Sequence, residues 1–214
     1  MQTFSIIGYD PTTISWGVAV ASKWIAVGSA VPFARAHAGA IATQSYTNST
    51  FGPKGLAMLA EGKSAQDTLD ALLKEDDGRE KRQVGIVDLE GRVAAFTGNE
   101  CIPEAGSLEG KNCTAQGNTL PTLEVLSAMT RTFEHTKGDL AHRLYKALLA
   151  GEEAGGDKRG KQSSALYVVR RDSGHGAFGD KVVDLRVDDH PEPVRELGRL
   201  LKIHDEVYTS WKGE

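Results

Sequence analysis

The chain reads as an α+β protein in which two sheets pack face to face between pairs of helices, and three observations lead there. Period-two alternation dominates the first 44 residues; helical periodicity with cap residues appears later in two pairs; strand patterns separate and follow those pairs. A sheet with one apolar face must bury it against another layer, and two such sheets bury each other.

Taken in order, residues 3–9 form a strand stopped by the turn pair Asp10-Pro11. Residues 14–22 set Ile14, Trp16, Val18 and Val20 on one face and Ser15, Gly17, Ala19 and Ala21 on the other. One bulky and one small face place this strand between two layers. Residues 25–31 and 37–44 are expected to continue the sheet. A helix over 54–61 is closed by Gly62, and Ser64-Ala65-Gln66-Asp67 opens another in near capping-box form, with Leu69, Leu72 and Leu73 on one side. A hairpin follows, 83–89 and 92–97 around Glu90-Gly91. A strand over 112–118 leads into a helix over 121–133 with Pro121 in its first turn, and Asp139 caps the next helix, which turns Leu140, Leu144, Ala147 and Leu148 inward. The glycine-rich, charged run 151–161 is the one long loop suited to function. Strands over 163–171 and 181–187 close the sheet, and a helix over 191–204 buries Val194, Leu197, Leu200 and Leu201. No repeat or low-complexity segment interrupts the pattern, so residues 1–214 are expected to form a single domain.

Composition narrows the function classes. Hydrophobic content of 40% and charged content of 25% are those of an ordinary globular protein. A net charge of −4 offers no basic surface, which argues against nucleic acid as a partner. No stretch approaches the ~20 apolar residues of a membrane span, and no basic region followed by an apolar core marks a secretory signal; a cytoplasmic protein without membrane contact is expected. Cys101 and Cys113 are too few for a disulfide scaffold and read as buried free thiols or as one bond. The 24 glycines point to close backbone packing.

Several chemistries are excluded by spacing. Gly155-Gly156-Asp157-Lys158-Arg159-Gly160 is glycine-rich and basic, yet fits neither phosphate-binding pattern. The six histidines form no H-x-x-x-H pair and no C-x-x-C is present, so neither a metal nor another cofactor is expected. A G-x-S-x-G elbow is missing as well.

Many short motifs do recur in one order: Thr3-Phe4-Ser5-Ile6, Gly17-Val18-Ala19-Val20-Ala21-Ser22-Lys23, Thr43-Gln44, Gly52-Pro53, Thr97-Gly98, Gln116-Gly117-Asn118, Gly155-Gly156-Asp157, Gln162-Ser163 and Val187-Asp188-Asp189-His190-Pro191. On these the chain resembles the DUF1028 family over residues 3–204. The resemblance implies a fold similar to the N-terminal-nucleophile (Ntn) hydrolases. That fold is a four-layer αββα sandwich whose first strand presents a Thr, Ser or Cys nucleophile for amide-bond hydrolysis. One departure stands out: chains of this kind commonly place the threonine directly after the initiator methionine, whereas Gln2 intervenes here.

A threonine at the start of a chain carries its own base, because an α-amine titrating near about 8 can take its hydroxyl proton. Inside a peptide bond that nitrogen has no such basicity. Thr3 is therefore read both as a nucleophile and as a β-branched residue suited to a strand start. Asn118 is read as an oxyanion donor or as a turn residue ahead of Pro121. Lys23 either sets an ammonium beside the Thr3 hydroxyl or is solvated. Asp157 and Arg159 form a pocket-shaping ion pair or are loop charges, and Ser163 relays protons or packs. Thr43, Gln44, Ser45 and Asn48 form a polar cluster at a strand end, where ligands commonly sit.

Two functions are carried forward. One is a cofactor-free hydrolase of a small amide or other C–N bond, with Thr3, Lys23 and Asn118 catalytic and Thr43, Gln44, Ser45, Asp157, Arg159 and Ser163 binding a small-molecule amide. The other is a catalytically silent binding or assembly protein forming homo-oligomers, docked through its C-terminal helix with Val207, Tyr208 and Trp211.

Overall fold

β1 (Thr3–Asp10) and β2 (Ser15–Ser22) are buried at every position, as strands with apolar layers on both faces must be. The computed structural model describes residues 2–174 and 178–211, the last three of these by backbone alone. Within them the chain continues through β3 (Pro32–Arg35), β4 (Gly39–Ser45), α1 (Phe51–Ala60), α2 (Ala65–Lys74), β5 (Arg82–Val87), β6 (Val93–Thr97), β7 (Gly106–Gly110), β8 (Cys113–Gly117), α3 (Glu124–His135), α4 (Leu140–Glu153), β9 (Ser163–Arg170), β10 (Lys181–Val187) and α5 (Pro193–Trp211). The result is a mixed α+β fold with two antiparallel sheets. Six strands run in the order β10-β9-β2-β1-β8-β7 and four in the order β3-β4-β5-β6.

Alternation along each strand decides what faces what. In β1, Phe4 and Ile6 join Leu144, Leu148, Met129 and Leu197 in a cluster between the six-stranded sheet and α3, α4 and α5. The intervening Ile7 and Tyr9 turn the other way and meet Trp16, Val18, Ala40, Ala42 and Val87 between the two sheets. A third cluster, with Ile41, Leu59, Leu72 and Ile86, lies between the four-stranded sheet and α1 and α2. Ser64 and Asp139 cap α2 and α4 as expected, accepting from the backbone N–H of Asp67 and His142.

The differences from the sequence reading are local. Residues 25–31 form no strand: Ala26 adopts a left-handed conformation (φ 52°), Val27–Ser29 makes a 3₁₀ turn, and Ile25 stays 59% exposed while Val27 and Val31 are buried. Alternation there reflects two anchored side chains on a turn. β7 escapes notice because its sequence, GSLEG, is polar and glycine-flanked, as suits a largely exposed edge strand. α3 starts three residues beyond Pro121, and α4 runs on through Gly151–Glu153 before Gly155 (φ 121°) and Gly156 (φ 53°) end it; the Gly156 N–H returns to the Gly151 carbonyl. α5 is longer than expected. Tyr208 stacks on His204 of its own helix with ring centroids 4.2 Å apart, Val207 is half-exposed, and the Trp211 side chain lies outside the described residues.

Neither cysteine is paired; both are buried, and burial pushes the Cys113 thiol up to about 12. Among the described residues, no helix is long and apolar enough to cross a membrane, and no group of three or more His, Cys, Asp or Glu side chains is placed to hold a metal.

Candidate functional site

The start of β1, the ends of β2, β4 and β8 and the start of β5 meet at one edge of the two sheets: Thr3 pairs with Ser22, Phe4 with Gly117, and Gln44 with Gln83. Thr3 is wholly buried there. Its hydroxyl donates to Ser22 Oγ at 3.3 Å, and its carbonyl accepts from the Asn118 N–H at 3.0 Å and Gln44 Nε2 at 3.3 Å.

The peptide bond ahead of Thr3 is held as closely. The Gln2 carbonyl accepts from Ser22 Oγ at 2.5 Å and from Arg159 Nη2 at 3.1 Å. Asp157 aims that arginine. Its carboxylate is almost fully buried and accepts Arg159 Nε (3.1 Å), Arg159 Nη2 (2.6 Å), the Arg159 N–H (3.0 Å) and the Lys23 N–H (3.1 Å). The loop over 154–162 thus binds the end of β2 and places one guanidinium on the Gln2 carbonyl. It is tied to β8 as well, since the Lys158 N–H donates to the Thr119 carbonyl.

Between the sheets, Ser5, Gln44, Gln83, Gln116 and Asn118 are all completely buried, which requires that their polar atoms find partners. Gln83 Nε2 donates to the Gly117 carbonyl (2.8 Å), the Gly106 carbonyl (3.0 Å) and Thr97 Oγ1 (3.0 Å). A carbonyl only accepts, so this end of Gln83 must be the NH₂ and the other end the oxygen. Gln83 Oε1 then accepts from Gln44 Nε2 (2.8 Å) and Asn118 Nδ2 (2.9 Å). Gln44 Oε1 in turn accepts from Ser5 Oγ (2.7 Å), whose lone pair takes Gln116 Nε2 (2.6 Å). Two backbone carbonyls therefore orient the whole chain of bonds. Gly85 makes room for it: a Cβ there would sit 2.2 Å from Gln116 Oε1. One atom is left over, because Asn118 Oδ1 is buried without a partner among the described residues.

Backbone strain collects at the same edge. Ser45 (φ 67°) and Thr119 (φ 58°) are non-glycine residues in the left-handed region at the ends of β4 and β8. Asp76 stiffens the nearby turn: Arg82 Nε reaches its carboxylate at 2.8 Å, Asn48 Nδ2 at 3.0 Å, and the arginine contact holds the carboxyl down to about 2. A cavity of about 100 Å³ opens on the helix side of β1 and β2, lined by Phe4, Ala21, Ser22, Glu152, Asp157 and Lys161 among others. Burial raises the Glu152 carboxyl above its ordinary range, opposed by Lys161 Nζ at 3.2 Å. Thr3 does not line this cavity; its side chain lies on the inter-sheet side of β1.

The sequence-predicted residues divide accordingly. Thr3, Gln44, Asn118, Asp157 and Arg159 come together. Lys23 contributes its backbone N–H, but its exposed ammonium reaches the Lys161 carbonyl (3.2 Å) and not the Thr3 hydroxyl. Asn118 gives its NH₂ to Gln83, so it presents an acceptor where an oxyanion donor was expected. Thr43, adjacent to Gln44 and so on the opposite face of β4, bonds the Asn48 carbonyl, and Ser45 supplies the strained strand end. Ser163 accepts from the Val27 N–H and donates to the Trp24 carbonyl, which fixes the 3₁₀ turn. Ser5, Gln83 and Gln116 were not chosen from sequence, and Ser22 drew notice only as ending the second strand with Lys23. Their signal was polar side chains at strand positions that period-two alternation turns inward.

Nothing among curated proteins matches the chain. A solved structure does: the crystal structure of protein SPO2555 from Silicibacter pomeroyi, assigned to DUF1028, is 34% identical, covers 96% of this chain and 87% of its own, and superposes with a TM-score of 0.87. The profile of DUF1028, described as a family of unknown function, matches residues 3–197, and the chain belongs to that family.

Proposed function

We propose that the chain is an Ntn-type hydrolase of a small amide or other C–N bond, built on the four-layer αββα sandwich of that group, with Thr3 as nucleophile once Met1-Gln2 has gone. The observation that carries this reading is the pair of donors on the Gln2 carbonyl, Ser22 Oγ and Arg159 Nη2, beside the Thr3 hydroxyl. When the leader departs, both donors are released at the position of the carbonyl that preceded Thr3. A substrate carbonyl placed there has its oxygen polarised, and in characterised hydrolases one such donor contributes about 2.7 to 4 kcal/mol to the transition state. The freed Thr3 amine takes the hydroxyl proton, Oγ bonds to the carbonyl carbon, the C–N bond breaks, and the leaving nitrogen receives the proton. Water then cleaves the Thr3 ester to release the acid. Neither metal nor organic cofactor enters these steps.

Deleting Gln2 places Thr3 next to the initiator methionine, whose removal exposes it. That chain is expected to hydrolyse at least one member of a panel of small amides, with Thr3→Ala lowering the rate at least about a thousandfold. Full retention of activity by T3A would sink the reading. The complete burial of Thr3 favours a second reading, a silent binding protein that keeps its leader. Intact mass of the protein from its own host separates them: loss of Met1-Gln2 supports the enzyme, an uncut chain the silent protein.

A further inference from the structure

We infer that Asn118 Oδ1 is the acceptor for the α-ammonium of Thr3, so that Asn118 is a positioning residue that sets the protonation of the catalytic amine; this rests on the reading that Thr3 is freed. Three facts converge. Asn118 is opposite Thr3 across the β1–β8 pair, one step beyond Phe4 and Gly117, and its N–H bonds the Thr3 carbonyl. In an antiparallel strand a residue's N–H and C=O point to the same neighbour, so the Thr3 nitrogen also lies on the β8 side. Finally, the orientation of the amide chain is not free to change. Turning Asn118 over would set its oxygen against Gln83 Oε1, and Gln83 cannot turn because its NH₂ is committed to the carbonyls of Gly106 and Gly117.

The amide network is thus left holding a buried acceptor that its own residues do not use, on the strand side that the Thr3 nitrogen faces when it changes from amide to ammonium. The neighbouring Thr119 Oγ1 is likewise buried without a partner among the described residues. An unpaired buried acceptor is costly, and a peptide N–H has a single proton to give. An ammonium has three protons to give. The charged groups near Thr3 include Lys23 just past the end of β2, the Asp157–Arg159 pair on the loop after α4 and, on the helix side of β1, Glu152 paired with Lys161. Arg82 at the head of β5 is turned to Asp76, while β4, β5 and β8 offer only the neutral Gln44, Gln83, Gln116 and Asn118. The nearby cations favour the neutral amine, whereas the carboxylates paired with them and Asn118 Oδ1 favour the charged one.

The test uses the Gln2-deleted chain, which retains every strand and helix, and follows the Thr3 α-amine by NMR titration with labelled threonine. Relative to the unsubstituted deletion chain, N118L is expected to lower the midpoint by about half to one pH unit and N118D to raise it. Leucine leaves Gln83 Oε1 its bond from Gln44. N118L should accordingly cost little stability in the leader-bearing chain, where Oδ1 serves nothing. An unmoved midpoint in N118L, or an equal loss of stability with and without the leader, would overturn the inference. A structure of the deletion chain decides independently of any variant: a Thr3 nitrogen within about 3.2 Å of Asn118 Oδ1 supports it, and a nitrogen beyond that reach refutes it. Activity is a separate matter. An inactive chain whose amine rests on Asn118 would defeat the hydrolase reading and leave this one standing.

Discussion

The two ends of the space between the sheets are built on opposite principles. Toward the end of β1 the filling is dry: Tyr9 stacks on Trp16 with centroids 5.2 Å apart, and Val18, Val20, Val31, Ala40, Ala42 and Val87 close around them. The Trp16 indole N–H is satisfied there by the Asp88 carbonyl at 2.9 Å. Toward the start of β1, four side-chain amides and Ser5 fill the same layer. Apolar filling gains from area removed from water, whereas an amide network gains little net stability and fixes direction instead. One end holds the sheets together; the other holds groups in place.

That contrast can be broken at either end. Trp16→Ala should have the largest effect, a loss of about 4 kcal/mol in chemical denaturation, because it opens a cavity in the dry half and strands the Asp88 carbonyl. Gln83→Leu should cost about 3 kcal/mol, since it leaves buried donors on Gln44 and Asn118 and acceptors on Gly106 and Gly117 without their shared partner. The two sites lie toward opposite ends of β1, so the double variant should be additive to within about 0.5 kcal/mol, and a larger coupling would show the halves to be one unit. The smallest effect is expected outside the layer. Asp76 is held down to about 2 by Arg82, so its contribution is full above its ordinary value of 3.8 and disappears as pH falls through about 2. Asp76→Asn should therefore lose about 2 kcal/mol at neutral pH, and its stability curve should meet that of the parent chain at the acid limit.

The same contrast explains what the sequence disclosed. Apolar alternation marks a strand and its buried face together, so β1, β2, β4, β5 and β9 were legible from residues such as Trp16, Val18, Val84 and Ile86. Where burial serves a turn, as at Val27 and Val31, the same signal misleads. The amide half was far less visible. Gln44 and Asn118 drew notice as polar residues at strand ends, but which atom each presents depends on Gln83, and the orientation of Gln83 depends on two backbone carbonyls from β7 and β8. Nothing in the order of residues carries that, least of all with β7 itself unrecognised. Lys23 shows the converse. Its position beside Ser22 was right, and its long side chain simply turned to a different oxygen.

The fixed orientation of the amides has a further consequence for changing this protein. Each link hands its hydrogen to the next, like turnstiles that all rotate one way, and the first is bolted to the main chain of two strands. Reversing one link alone would confront oxygen with oxygen on one side and hydrogen with hydrogen on the other. Reversals made one link at a time should therefore fail where concerted ones succeed, and any redesign that needs a donor beside Thr3 must begin at Gly106 and Gly117.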